Sequence, residues 1–207
     1  MNESLTNPQR IVVGITGASG AVYARRVIQE LCRLGIEVHL VATRNGRRLL
    51  HEELGIESLD AAGLLGTAHR DQAAGLITVY PIDDVGAAIA SGTFVHDGMV
   101  IVPCSSNGLG MIASGLGPNL LYRAAAVTLK ERRRLVLCHR ESPLSLVDIE
   151  NMRRLALAGA IVAPANPGWY LQPQSLDDIV DFVAARLLDQ LGIVSHSLSR
   201  RWGEDTP

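Results

Sequence analysis

Cysteine, aromatic side chains and net charge are all scarce in this sequence, and each scarcity removes a class of protein. The three cysteines, Cys32, Cys104 and Cys138, have spacings that make no metal knuckle and suggest no disulfide framework. A reducing compartment, and with it a cytoplasmic location, is the expectation. The formal charge is −2, from 19 Lys+Arg against 21 Asp+Glu, which argues against the broad electrostatic surface of a nucleic-acid binder. No apolar run reaches the roughly 18–20 residues of a membrane span. MNESLTNPQR at the start lacks the basic segment and apolar core of a signal peptide. The six histidines show no HxH or HExxH pattern, and no carboxylate pair has metal-ligand spacing with them, so no metal is expected.

What is abundant is small and aliphatic. Hydrophobic residues make up 47% and glycines number 20, against 4% aromatics. Such a chain suffices for one sizeable core and is short for two. Apolar runs predict strands over 10–16, 36–43, 76–81, 99–104 and 135–139, with a further one in AIVAPANPG. Helical spacing predicts helices over 21–35, 44–54, 120–133, 145–159 and 175–192. SSNG at 105–108 reads as a loop, and GMIASGLGPN after it as irregular or weakly helical. Continuously apolar strands alternating with helices describe a mostly parallel sheet covered on both faces, a single doubly wound α/β domain over 10–192. Residues 1–9 are expected to be a disordered arm, and 193–207 a tail packed on a neighbouring subunit.

In such a sheet, ligands bind beyond the carboxyl ends of the strands. The loops there are GASG at 17–20, the turn at Ala42-Thr43, PCSSNG at 103–108, HRESP at 139–143 and ANPG at 165–168. Small residues beside helix N-termini suit a phosphate. TGASG is not GxGxxG, and Glu37 begins the second strand rather than ending it, so a mononucleotide is preferred over NAD. Cys104 ends a buried strand with no histidine placed locally to activate it, and reads as a small hydrophobe. Ser105 and Ser106 are the better ligand contacts. KERRRLVLCHRE at 130–141 sets cations on both sides of an apolar strand. Arg123 and Lys130, seven apart on one helix, share a face. With Arg140 about Glu141 they would hold a phosphorylated substrate and run an acid/base step. A surface salt-bridge network is the competing reading of the same residues.

Taken with GITGASG at 14–20, NLLYRAAAVTLKERRRLVL at 119–137, HRESPLSLVDIENM at 139–152, PGWYLQPQSLDDIVDFVAARLLDQLG at 167–192 and RWGE at 201–204, these motifs resemble the UbiX-type (Pad-type) flavin prenyltransferases across residues 10–203. The resemblance implies a Rossmann-like, flavodoxin-like domain that joins a dimethylallyl group from dimethylallyl phosphate to reduced FMN at N5 and C6. The product would be prenylated FMN, the cofactor of a UbiD-type decarboxylase. It also implies metal-independent catalysis and a homododecamer with sites between subunits. Carried over, the catalytic residues are Glu53, Glu141, Lys130 and Ser19. FMN would be bound by Gly17, Ala18, Ser19, Thr43, Ser105, Ser106 and Arg123, and the substrate phosphate by Lys130, Arg140, Tyr170 and Arg186. Two positions depart from the pattern: Val85 stands for a common Trp, and His139 for a common Pro. The alternatives are an FMN-dependent cysteine-type decarboxylase and a non-catalytic FMN-binding subunit of a decarboxylase system. The aromatic-containing pairs Trp169-Tyr170 and Arg201-Trp202 favour an interface.

Overall fold

Apolar runs punctuated by glycine turns become the strands of a wholly parallel sheet. The computed structural model describes residues 10–66 and 75–198. In chain order these form β1 (Arg10–Ile15), α1 (Ala21–Arg33), β2 (Glu37–Ala42), α2 (Arg44–Leu54), α3 (Ala61–Leu65), β3 (Ile77–Tyr80), a 3₁₀ turn at Ala88–Ala90, β4 (Gly98–Cys104), α4 (Ser106–Ala113), α5 (Leu120–Lys130), β5 (Leu135–His139), α6 (Leu146–Leu157), β6 (Ile161–Val162) and α7 (Leu176–Leu191). The strand order is β3-β2-β1-β4-β5-β6, and every pairing is parallel. This is the doubly wound sheet anticipated, in the strand order of the Rossmann fold. The order reverses between β1 and β4, so the switch point lies where those strands end.

Strand alternation builds a core on each face. Val13, Ile15, Val100 and Val136 point to the side covered by α1 and α7, where Val27, Ile28, Leu187 and Leu188 meet them. Val12, Met99, Ile101 and Leu137 point to the side covered by α4 and α5. All seven residues of β4 and all five of β5 are buried, which is why these strands read as continuous apolar runs. Each large aliphatic side chain buried this way contributes about 1.5–3 kcal/mol.

Two expectations change. SSNG is not a loop: Ser105 caps α4, and its hydroxyl oxygen accepts the Gly108 N–H. Gly108 and Gly110 read as helix breakers, yet they permit close packing. A Cβ on Gly108 would lie 3.4 Å from Thr16 Cγ2, and one on Gly110 would lie 3.4 Å from the Asn151 amide. Second, α5 stops at Lys130, and Arg132 turns the chain with a left-handed φ of 55°. At the start of the expected tail, Ile193 is fully buried and the Ser197 N–H reaches Glu30 of the same chain. The expected N-terminal arm, the rest of the tail and the Arg201-Trp202 pair lie outside the described residues. Among those residues, no helix is long and apolar enough to cross a membrane.

Candidate functional site

Thr16, the first residue beyond β1, joins the two strands at the switch point. Its hydroxyl donates to the Pro103 carbonyl at 2.8 Å and accepts the Ser105 N–H at 2.8 Å. Around this staple, three helix N-termini converge on an open cleft of about 750 Å³. Thr43 Oγ1 caps α2 by accepting Gly46 N–H at 3.0 Å, Ser105 Oγ caps α4, and Asn119 Oδ1 caps α5 by accepting Tyr122 N–H at 3.3 Å. Each capping hydroxyl spends a lone pair on its helix and keeps its O–H to donate. The aligned backbone dipoles add partial positive charge at the same place. Gly17, Thr43, Ser105, Ser106 and Glu141, all read from the sequence, line this cleft.

Asn119, Tyr122, Met111 and Asn107 line it too and were missed as contacts. Asn119 had a signal, because an Asn immediately before an apolar-periodic helix is an N-cap. Met111 and Tyr122 had none, since periodicity does not say which end of a helix meets a ligand.

At the end of the GASG turn, two N–H groups are met by a carboxylate of the same chain. The Glu53 carboxylate accepts Gly20 N–H at 3.0 Å and Ala21 N–H at 2.8 Å, so α1, which has no side-chain cap of its own, is capped from α2. Ala18 is buried and Ser19 is exposed beside this pair. Gly17 is required by packing: an added Cβ would stand 2.4 Å from Asn45 Cβ. Arg140 comes to the same turn from β5, its Cδ 3.9 Å from where a Cβ of Gly20 would be, and its Nε is buried with no hydrogen-bond partner among the described residues. A buried guanidinium nitrogen left open beside a carboxylate-capped helix is a fitting place for a phosphate oxygen.

The expected cluster of Arg123, Lys130 and Arg140 about Glu141 does not form within one chain. A crossover helix runs against the strands it joins, so α5 begins at the cleft with Arg123 in its first turn and ends at the opposite edge of the sheet. Lys130 sits there, paired with Glu131 at 2.7 Å and beside Gly92, roughly 10 Å along the helix from Arg123. The rest of the charge run is structural at that edge. Arg133 donates to the carbonyls of Phe94 and Gly92, and Arg134 to that of Leu191 at the end of α7. Arg186 pairs with Asp189 on α7. Tyr170, on the loop after β6, stands edge-on to Phe182 at 5.9 Å. Cys104 is fully buried, and burial pushes its thiol well above the ordinary range, as the hydrophobe reading requires.

A cleft of this size falls in the range of cofactor sites, roughly 300–1,000 Å³. Hydroxyl donors, three helix N-termini and an open buried guanidinium nitrogen fit a phosphorylated mononucleotide such as FMN. The comparisons with known proteins agree. A family model described as flavoprotein matches residues 1–188. The flavin prenyltransferase UbiX of Halalkalibacterium halodurans is 46% identical over 193 residues, 93% of each chain. Among solved structures, AnUbiX (PadA1) in complex with FMN and dimethylallyl pyrophosphate superposes with a TM-score of 0.82 at 35% identity, covering 96% of this chain and 99% of that one. A dodecameric FMN-dependent UbiX-like decarboxylase from Escherichia coli O157:H7 gives 0.81 at 38% identity, covering 93% and 98%. Sheet order, cleft and near full-length identity lead to one assignment: the chain belongs to the flavoprotein family, among its UbiX-type flavin prenyltransferases.

Proposed function

We propose that this chain transfers a dimethylallyl group from dimethylallyl phosphate to reduced FMN, at N5 and C6, in the cytoplasm. Inorganic phosphate is released, and the prenylated FMN passes to a UbiD-type decarboxylase. The observation that carries the reading is Glu141 at the rim of a cleft formed by three helix N-termini at the switch point. When bound, reduced FMN supplies the electron-rich partner that accepts the prenyl group.

Gly17, Thr43, Ser105 and Ser106 would hold FMN, with Ala18, Ser19 and Arg123 beside them. Breaking the allylic C–O bond leaves negative charge on phosphate. Arg140, Lys130 and Arg186, with the Tyr170 hydroxyl, would stabilise that charge as it develops. Glu141 would pass a proton toward the departing phosphate. Glu53, and Ser19 next to it, would order the turn on which the phosphate rests. Because Lys130 and Arg186 lie away from the cleft of their own chain, a neighbouring subunit would deliver them, in a homododecamer like that of the E. coli relative. Exposed apolar side chains on α6 (Leu146, Val147 and Leu157) and Trp169 beyond β6 suit burial in such an assembly.

The test is anaerobic incubation with FMN, a reductant and dimethylallyl phosphate, followed by mass analysis of the flavin. A gain of one C5H8 unit with release of inorganic phosphate is expected. An unmodified flavin in a protein that binds FMN would leave a non-catalytic flavin subunit as the reading.

A further inference from the structure

Ser106 has two polar neighbours that FMN binding alone does not explain. His139, the last residue of β5, is 2% exposed, and its Nε2 lies 3.3 Å from Ser106 Oγ. The carboxyl of the nearby Asp148 is held below the ordinary carboxylate range by the Ser145 hydroxyl first and by Ser106 second. The backbone arranges this meeting. The β4–β5 register is irregular between Ile101 and Cys104, which sets Cys104 opposite His139 and brings the following residues of α4 against the imidazole. Four charged or titratable groups surround the ring: Asp148 from α6, Arg140 and Glu141 from its own strand end, and the Cys104 thiol from β4.

The hydroxyl has one proton to give. An ionised carboxylate is the stronger acceptor and cannot donate, so Asp148 is the group that would draw the Ser106 proton. With the proton drawn that way, the imidazole would donate from Nε2–H to a Ser106 lone pair across the 3.3 Å contact. The second lone pair is left for the cleft that Ser106 lines.

We propose that His139 is a positioning residue of the flavin site, holding Ser106 as a hydrogen-bond acceptor turned toward a donor group of the flavin. The proposal rests on the FMN reading above and deepens it. His139 acts through Ser106 and does not itself touch the cofactor.

The experiment is an FMN titration by flavin fluorescence on wild type, H139L, H139Q, S106A and the double variant H139L/S106A. H139L and S106A should each weaken FMN about five-fold, the worth of one neutral hydrogen bond. The double variant should bind no more weakly than S106A alone, because the two changes remove one contact. H139Q, whose side-chain amide can donate where the ring did, should bind within about two-fold of wild type. Nitrogen-15 NMR of the wild-type imidazole should show the Nε2–H tautomer, with that resonance moving when FMN is added. This reading stands even if H139L fails to fold. A wild type that binds no FMN would sink the functional reading itself. A wild type that binds FMN while H139L matches it, or while the two losses add, or while the Nδ1–H tautomer is found, would overturn the role of His139 alone.

Discussion

Exchanging one carboxylate oxygen of Glu141 for an amide nitrogen removes its capacity to carry a proton and changes little else. The residue is exposed, and in its own chain its side chain accepts the Ser142 N–H at 3.1 Å, so E141Q should fold and bind FMN as the parent does. Single-turnover formation of prenylated FMN should slow by on the order of 10²–10⁴-fold. A wild-type rate across the pH range would return Glu141 to the status of a surface charge, where losses stay well under about 1 kcal/mol. Gly17 makes a second prediction at this scale. G17A puts a methyl into Asn45 Cβ, and α2 has to shift, at a cost of about 1–3 kcal/mol. Urea unfolding should show the loss, and N45G in the same chain should recover most of it. Recovery is the diagnostic result, because a defect confined to the ligand contact would not respond to residue 45.

Caps govern the elements, and two of them separate structure from binding. Ser105 and Ser175 each accept an N–H of their own helix, on α4 and α7. Replacing either by alanine should lower stability by about 1 kcal/mol. Only S105A should also weaken FMN, since only that hydroxyl lines the cleft; equal FMN affinities in the two variants would remove Ser105 from the site.

These elements also mark where sequence reading succeeds and stops. The starts of α6 and α7 were legible because SLVD and SLDD are capping boxes, with Ser145–Asp148 and Ser175–Asp178 closing on themselves. The start of α4 was not, because Gly108 and Gly110 look like breakers until the strand and helix they press against are known. Thr43, Ser105 and Glu141 were legible as cleft-lining residues because each directly follows or closely succeeds an apolar strand. Lys130 lies apart from Glu141 in its own chain for a definite reason: helical periodicity reports a shared face, whereas the edge of the sheet that a residue meets is set by the direction of the helix.

At the scale of the whole molecule, three buried histidines among the described residues make stability depend on pH. His39, His96 and His139 all lie below the ordinary imidazole value, with desolvation the largest cause in each. The unfolded chain takes up protons near pH 6.5 that the fold refuses, so stability is full above about pH 6.5 and is lost as pH falls through the folded values. Urea midpoints should decline between pH 7 and pH 5, before carboxylates titrate; a flat profile would mean that water reaches these rings. The direction of α5 reaches further still. If Lys130 acts in a neighbour's cleft, no chain owns a complete site, and inactivity becomes a property that two chains can cancel between them. K130A and E141Q should each be inactive when pure. Co-expressed and randomly mixed, they should regain activity at about a quarter of the sites, where a chain with intact Glu141 borders one with intact Lys130. Mixtures as inactive as either parent would mean that both residues serve the same chain. The sheet that separates these two groups within one subunit would then make catalysis heritable only through the assembly.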